Sequence, residues 1–115
     1  MIWKTKIDLK ELNQSYHNTL VAHLSIKLTE VGDDFLRATM PISDITKQPF
    51  GIMHGGASAA LAESVGSIAA NFTIDREKQF AVGVDLNTSH LKMVREGLVV
   101  GTAKPLHLGG TIQVW

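Results

Sequence analysis

A glutamate set among small residues, a histidine followed by two glycines, and a serine one helical turn beyond the glutamate are the side chains of this sequence best suited to chemistry. They are Glu63, the run His54-Gly55-Gly56, and Ser67. Glycines at a helix start let a ligand approach the unpaired amide donors, and the helix dipole there favours negative charge. Such a start can bind a phosphate or polarise a carbonyl, although Gly55 and Gly56 also fit a plain tight turn. Glu63 shares a helix face with Ala60, Ser67 and Ala70 at spacings of three and four. A carboxylate on a face that small is either paired or in use, and desolvation there would suit it to act as a base or nucleophile. Ser67 can point at the same space and orient a water, or simply pack.

Other chemistries fit less well. His54, His90 and His107 match no zinc spacing, and the sequence has no cysteine, so thiolate nucleophiles, thiolate-zinc sites and disulfides are excluded. No Gly-Lys-Ser/Thr follows the glycines, and no strand precedes them as a dinucleotide fingerprint requires. His90 and Lys92 in one segment, and Lys104, His107, Gly109 and Gly110 in another, lie where loops on a rigid sheet could hold a phosphorylated tail. The same segments read equally well as ordinary solvated loops.

The elements that must position these residues follow from periodicity. Asp8-Leu9-Lys10-Glu11 has capping-box spacing and predicts a short helix from about Leu9 to His17. Leu24, Ile26 and Leu28 alternate with polar residues, as do Leu36, Ala38 and Met40, and Gly32-Asp33-Asp34 lies between them, which predicts a β-hairpin ended by Pro41. From Gly55 the period changes. Ala57, Leu61, Val65, Ile68 and Phe72 make one helical stripe, while the opposite side carries Gly56, Ala60, Ser64, Ser67 and Ala70 instead of charges. Small residues on most sides predict a buried helix with backbone packed closely around it. Strands are expected at Val82 to Leu86, Leu98 to Ala103 and Thr111 to Trp115, punctuated by Gly97 and Gly109-Gly110. The order predicts an α+β fold, an antiparallel sheet packed on one long helix.

The chain has 115 residues, a length that suits a single domain spanning 1–115. Basic and acidic residues balance at eleven each and are spread along the sequence, so no stripe attracts a nucleic-acid backbone or an anionic membrane. The start, Met1-Ile2-Trp3-Lys4-Thr5-Lys6, has no apolar stretch behind its lysines and does not read as a signal peptide. No tract is long and apolar enough for a membrane helix, and a cytoplasmic location is the default expectation.

Taken together, Gln48-Pro49-Phe50-Gly51, His54-Gly55-Gly56, Ala62-Glu63-Ser64, Gly66-Ser67 and the stretch from Asn87 to Arg95 resemble the hotdog-fold acyl-CoA thioesterases. The likeness is greatest to the group that comprises the 1,4-dihydroxy-2-naphthoyl-CoA hydrolases of menaquinone synthesis and the proofreading thioesterases of enterobactin synthesis. It covers essentially the whole chain. The resemblance implies a long helix wrapped by a curved antiparallel sheet, paired into a homodimer or homotetramer with active sites across the dimer interface. It implies hydrolysis of an acyl-CoA thioester, with an aromatic acyl group, to free acid and CoA, without a metal or redox cofactor.

By the same resemblance Glu63 is the catalytic carboxylate, the Gly55 amide is the oxyanion donor, and Gln48 and His54 position and polarise the thioester. Glu63 and Ser67 would then come from the other chain. Ser64, Gly83, His90, Leu91, Lys92, Met93, His107, Gly109, Gly110, Thr111 and Ile112 fall where relatives hold the CoA tail or the edge of the acyl group. Two other functions remain open on the same fold: a non-catalytic acyl-CoA binding module, and an enoyl-CoA dehydratase or hydratase. Relatives continue beyond Gln113-Val114-Trp115, and the resemblance therefore predicts a sheet one strand short, with a gap in its ladder beside Val82 to Leu86.

Overall fold

All 115 residues are described by the structure, a computed structural model. The first helix, α1 (Leu9–Ser15), is capped as its spacing predicts, the Asp8 side chain accepting from the Glu11 amide at 3.0 Å. It stops two residues before His17, and Asn18 at φ 60° turns the chain away. A second helix, α2 (Leu20–His23), has no counterpart in the sequence-based expectation. Its end explains why. The Ile26 amide donates to the Val21 carbonyl and the Ser25 amide to that of Ala22, with Ser25 at φ 56°. Glycine usually makes this double closure, and a serine in its place leaves no signal. Leu24 and Ile26, expected in a strand, are buried in this turn instead.

The hairpin pairs β1 (Lys27–Val31) with β2 (Leu36–Pro41) through the Gly32-Asp33-Asp34 turn. Leu28 faces Ala38 and Glu30 faces Arg37, so Thr29 is an extra residue that resets the alternation of β1. On the far edge of β1, Asn13 of α1 donates to the Leu28 carbonyl and accepts from the Leu28 amide, both at 2.9 Å. On the other side, β3 (Leu98–Ala103) runs antiparallel to β2, from Leu36 opposite Ala103 to Pro41 opposite Leu98. The sheet order is β1-β2-β3.

Helix α3 (Gly55–Phe72) is 18 residues, about 27 Å long at 1.5 Å per residue. Its stripe of Ala57, Leu61, Val65 and Ala69 packs on Leu28, Leu36, Ala38 and Met40 of the hairpin, and Leu36, Met40 and Val65 are essentially inaccessible. A β-carbon at Gly101 would lie 3.1 Å from Leu61 Cγ, so helix and sheet meet closely where β3 has no side chain. Burying each large apolar residue is worth about 1.5–3 kcal/mol, against roughly 1 kcal/mol for a helix cap. Packing therefore dominates the seating of α3. No helix is long and apolar enough to cross a membrane.

A short hairpin ends the chain: β4 (His107–Leu108) pairs with β5 (Gln113–Val114), so the strand expected at Thr111 to Trp115 is shorter and gains a partner not foreseen. This hairpin is tied to the end of α3, with Gln113 donating to the Thr73 hydroxyl at 2.9 Å. Trp115 stacks on Trp3 with centroids 6.4 Å apart.

Two expectations are corrected. Val82 to Leu86 forms no ladder, and its side chains are exposed, Val84 to 95%. Alternation marks a face, but a strand also needs a hydrogen-bonding neighbour, and here β3 pairs only with β2 and β5 only with β4. In consequence the sheet covers one side of α3 only. The small-residue side, expected to be buried, is so only in part: Ala70 is buried and Ala60 packs on the core, but Ser67 and Ala70, with Ala62, Glu63 and Gly66, border an open groove.

Candidate active site

The loop before α3 is a small hairpin. The Gln48 amide donates to the Ile52 carbonyl at 2.8 Å, the His54 amide to that of Thr46 at 2.8 Å, and Gly51 turns the chain at φ 80°. Only glycine adopts that conformation without strain. Thr46, buried, anchors the loop by donating to the Pro41 carbonyl at 2.9 Å and accepting from the Ser43 amide at 2.9 Å. Gln48 and His54 are thereby brought to the same end of α3. The Gln48 side chain folds back to accept from the Phe50 amide.

His54 is the N-cap of α3, and it uses both its acceptors. Its ring Nδ1 accepts from the Gly56 amide at 2.7 Å, and its carbonyl accepts from Ala57 at 3.0 Å and Ser58 at 3.3 Å. A ring nitrogen that accepts is unprotonated, so the neutral imidazole carries its hydrogen on Nε2. Of the first-turn amides, only that of Gly55 makes no hydrogen bond. It stands at the positive end of the helix dipole, free to donate to an oxygen.

The two glycines have separate steric reasons. A β-carbon at Gly56 would meet the His54 ring at 2.9 Å, and one at Gly55 would lie 3.0 Å from Cε1 of His90. His90 reaches this end of the helix across 32 residues, its Nε2 lying 2.6 Å from the Ser58 hydroxyl. The Val94 carbonyl accepts from the Met53 amide at 2.8 Å and holds the same segment in place.

Glu63 lies elsewhere. It is exposed on the open side of α3, with Ser67 one turn beyond, and both line the groove of about 560 Å³ that separates α3 from residues 79–86 and 109–115. The desolvated setting expected for Glu63 is absent from the single chain, because no strand covers this side. Its Oε1 lies 2.6 Å from where a β-carbon of Gly83 would sit. Asn71, at the end of α3, holds the approach to Gly83: it accepts from the Ala81 amide at 2.9 Å and donates to the carbonyls of Ala81 at 2.9 Å and Ser67 at 2.8 Å.

The expected site residues thus form two groups. Gln48, His54, Gly55 and His90 gather at the helix start, while Glu63, Ser67, Gly83, Gly109, Gly110, Thr111 and Ile112 line the groove. Ser64 is half-buried and lies off the groove, as does His107, and Leu91, Lys92 and Met93 project into solvent. Ser58 and Asn71 escaped the sequence reading because their partners are 32 and 10 residues away and no local spacing signals them.

Residues 50–115 match the family model of the thioesterase superfamily. The chain belongs to the thioesterase superfamily. This thioesterase is 50% identical to the 1,4-dihydroxy-2-naphthoyl-CoA hydrolase of Escherichia coli strain K12 over 115 residues, which is 100% of this chain and 84% of that protein. A thioesterase from Haemophilus influenzae superposes with a TM-score of 0.95 at 45% identity, covering 98% of this chain and 78% of that one. A mutant thioesterase from Pseudomonas aeruginosa does so at 0.94 and 39%, covering 96% and 79%. The fold is the α+β hotdog fold, and the enzyme class is thioester hydrolase.

Proposed function

We propose that this thioesterase hydrolyses an aromatic acyl-CoA, of the 1,4-dihydroxy-2-naphthoyl-CoA kind, in a site built from two copies of the chain. The observation that carries the reading is the separation of two groups on one helix. The Gly55 amide and Glu63 are eight residues apart, about 12 Å along the axis. A thioester carbonyl cannot accept from one and be attacked by the other within a single chain. A second copy, with α3 running the opposite way, sets the Glu63 of each chain against the helix start of the other.

In that arrangement the Glu63 carboxylate attacks the carbonyl carbon, or takes a proton from a water that does. The negative charge moves to the carbonyl oxygen, which accepts from the Gly55 amide and from His54 Nε2–H. Gln48 helps to orient the thioester, and collapse of the tetrahedral species breaks the carbon–sulfur bond. CoA leaves as the thiolate, which takes a proton from solvent. Where Glu63 attacks directly, the acyl group is left on it as a mixed anhydride, which a water oriented by Ser67 hydrolyses to the free acid; Gly83, Gly109, Gly110, Thr111 and Ile112 border the acyl and CoA channel. These groups suffice without a metal or redox cofactor.

Release of free thiol from an aroyl-CoA tests the reading. Glu63→Ala and Glu63→Gln should each lower kcat about 10²–10⁴-fold, the range for loss of a catalytic acid or base. Near-normal turnover in either variant sinks the assignment, and acyl-CoA binding without thiol release in the unaltered protein would make it a binding module. Mixing the inactive Glu63→Ala and His54→Ala proteins tests the two-copy site, since mixed dimers recover one intact site each. No recovery after subunit exchange rejects it.

A further inference from the structure

We infer that Ser58 is a positioning residue of this site, acting through His90 to hold its imidazole against Gly55 with Nε2–H directed at the Ser58 hydroxyl. The inference rests on the reading of Gly55 as the oxyanion donor.

The geometry is a seat with two contacts. One is the Ser58 hydroxyl, half-buried in the first turn of α3, which donates to the Gly55 carbonyl at 2.9 Å. With the single hydroxyl hydrogen on the Gly55 carbonyl, the same oxygen accepts towards His90 Nε2, 2.6 Å away. His90 therefore carries a hydrogen on Nε2. The other contact is the bare Cα of Gly55, against which the Nδ1–Cε1–Nε2 edge of the ring rests, these atoms lying 3.5, 3.0 and 3.3 Å from the position of a β-carbon. No group of the chain bonds to Nδ1.

The Met53–Val94 hydrogen bond anchors the backbone four residues on, but residues 91–93 project into solvent and residues 84–89 are exposed, and no hydrogen bond from either flank reaches the ring. Without Ser58 the imidazole would keep its place only through its contact with Gly55, and rotation about its side-chain bonds would carry it away from the helix start. The cost falls on substrate binding and alignment, since neither Glu63 nor the Gly55 amide is touched by the loss.

Three measurements on the folded, assembled protein test this. First, the His90 Nε2–H proton should be visible by NMR in the unaltered protein, protected by Ser58, and lost to exchange in Ser58→Ala. Second, Ser58→Ala should raise KM for the acyl-CoA about tenfold, the worth of one hydrogen bond, with kcat changed less than about threefold. Ser58→Thr, which keeps the hydroxyl, should restore both. Third, Ser58→Ala should add little to His90→Ala, as expected for one residue working through another. An Nε2–H signal indifferent to Ser58→Ala, or fully additive effects of the two substitutions, overturns the inference. A protein that hydrolyses no thioester but shows the protected Nε2–H would fail the functional reading and leave the Ser58–His90 contact standing.

Discussion

The Glu63 carboxylate occupies space that any side chain at Gly83 would need, its Oε1 lying 2.6 Å from the position of a β-carbon there. Glycine at 83 is what lets the carboxylate lie against that backbone. In Gly83→Ala the methyl group displaces the end of a flexible, exposed side chain, which costs little stability. Thiol release should nevertheless fall by about 10²-fold, the effect expected when a reacting group is misplaced by about 1 Å. Thermal unfolding beside steady-state kinetics checks both halves, and unchanged kinetics would show that the carboxylate's position against Gly83 does not matter.

His54 has two separable duties, capping α3 through Nδ1 and presenting Nε2–H outward. His54→Ala should lose both, costing about 1 kcal/mol of stability, the usual worth of an N-cap, along with activity. His54→Asn keeps a capping oxygen. It should recover the stability in a urea titration while leaving turnover low, and an active Asn variant would remove the polarising role.

Asn71 bonds both backbone groups of Ala81, as a neighbouring strand would, and donates as well to the Ser67 carbonyl. At about 1 kcal/mol per net hydrogen bond, loss of its three bonds in Asn71→Ala should cost roughly 3 kcal/mol. Loosening should be local. Amide exchange at Ala81 should accelerate well beyond that of the α3 core, and a uniform change across the chain would argue against this anchoring.

Burial holds the Tyr16 phenol above its ordinary pKa of 10.0, partly opposed by the positive charge of Arg76. A group raised in the folded state contributes stability in full below its unfolded pKa and loses it as pH rises through the folded value. Unfolding midpoints should therefore be indifferent to Tyr16 ionisation up to about pH 10 and fall above it. Tyr16→Phe should flatten that alkaline fall relative to the unaltered protein. Parallel curves for the two proteins would deny Tyr16 the role.

The periodicity of α3, its start at Gly55, the Asp8 cap and the β1–β2 hairpin were legible because each depends on neighbours in sequence. The two turns that carry α1 and α2 into β1 were not, since Asn18 and Ser25 hold left-handed conformations with no glycine to announce them. Val82, Val84 and Leu86 showed a face but could not show whether another strand lies beside it. The chemistry divided the same way. His54, Gly55 and Glu63 stood out by local context, whereas the seat of His90 on Ser58 depends on the fold bringing distant residues together. The exposure of Glu63 likewise follows from which strands cover α3, a property of topology.

Asn13 has a consequence for how this sheet can grow. Its amide occupies both outward-facing backbone groups of Leu28, so β1 offers no template there for another strand. Nothing in the chain bonds to the outer backbone edge of β3. The two edges of the sheet are therefore unequal, one obstructed at Leu28 and the other open along its length. A strand joining it, from a second copy or from a misfolded chain, meets no such block alongside Leu98–Ala103. Charge introduced on that strand should govern its self-association more strongly than charge introduced on β1.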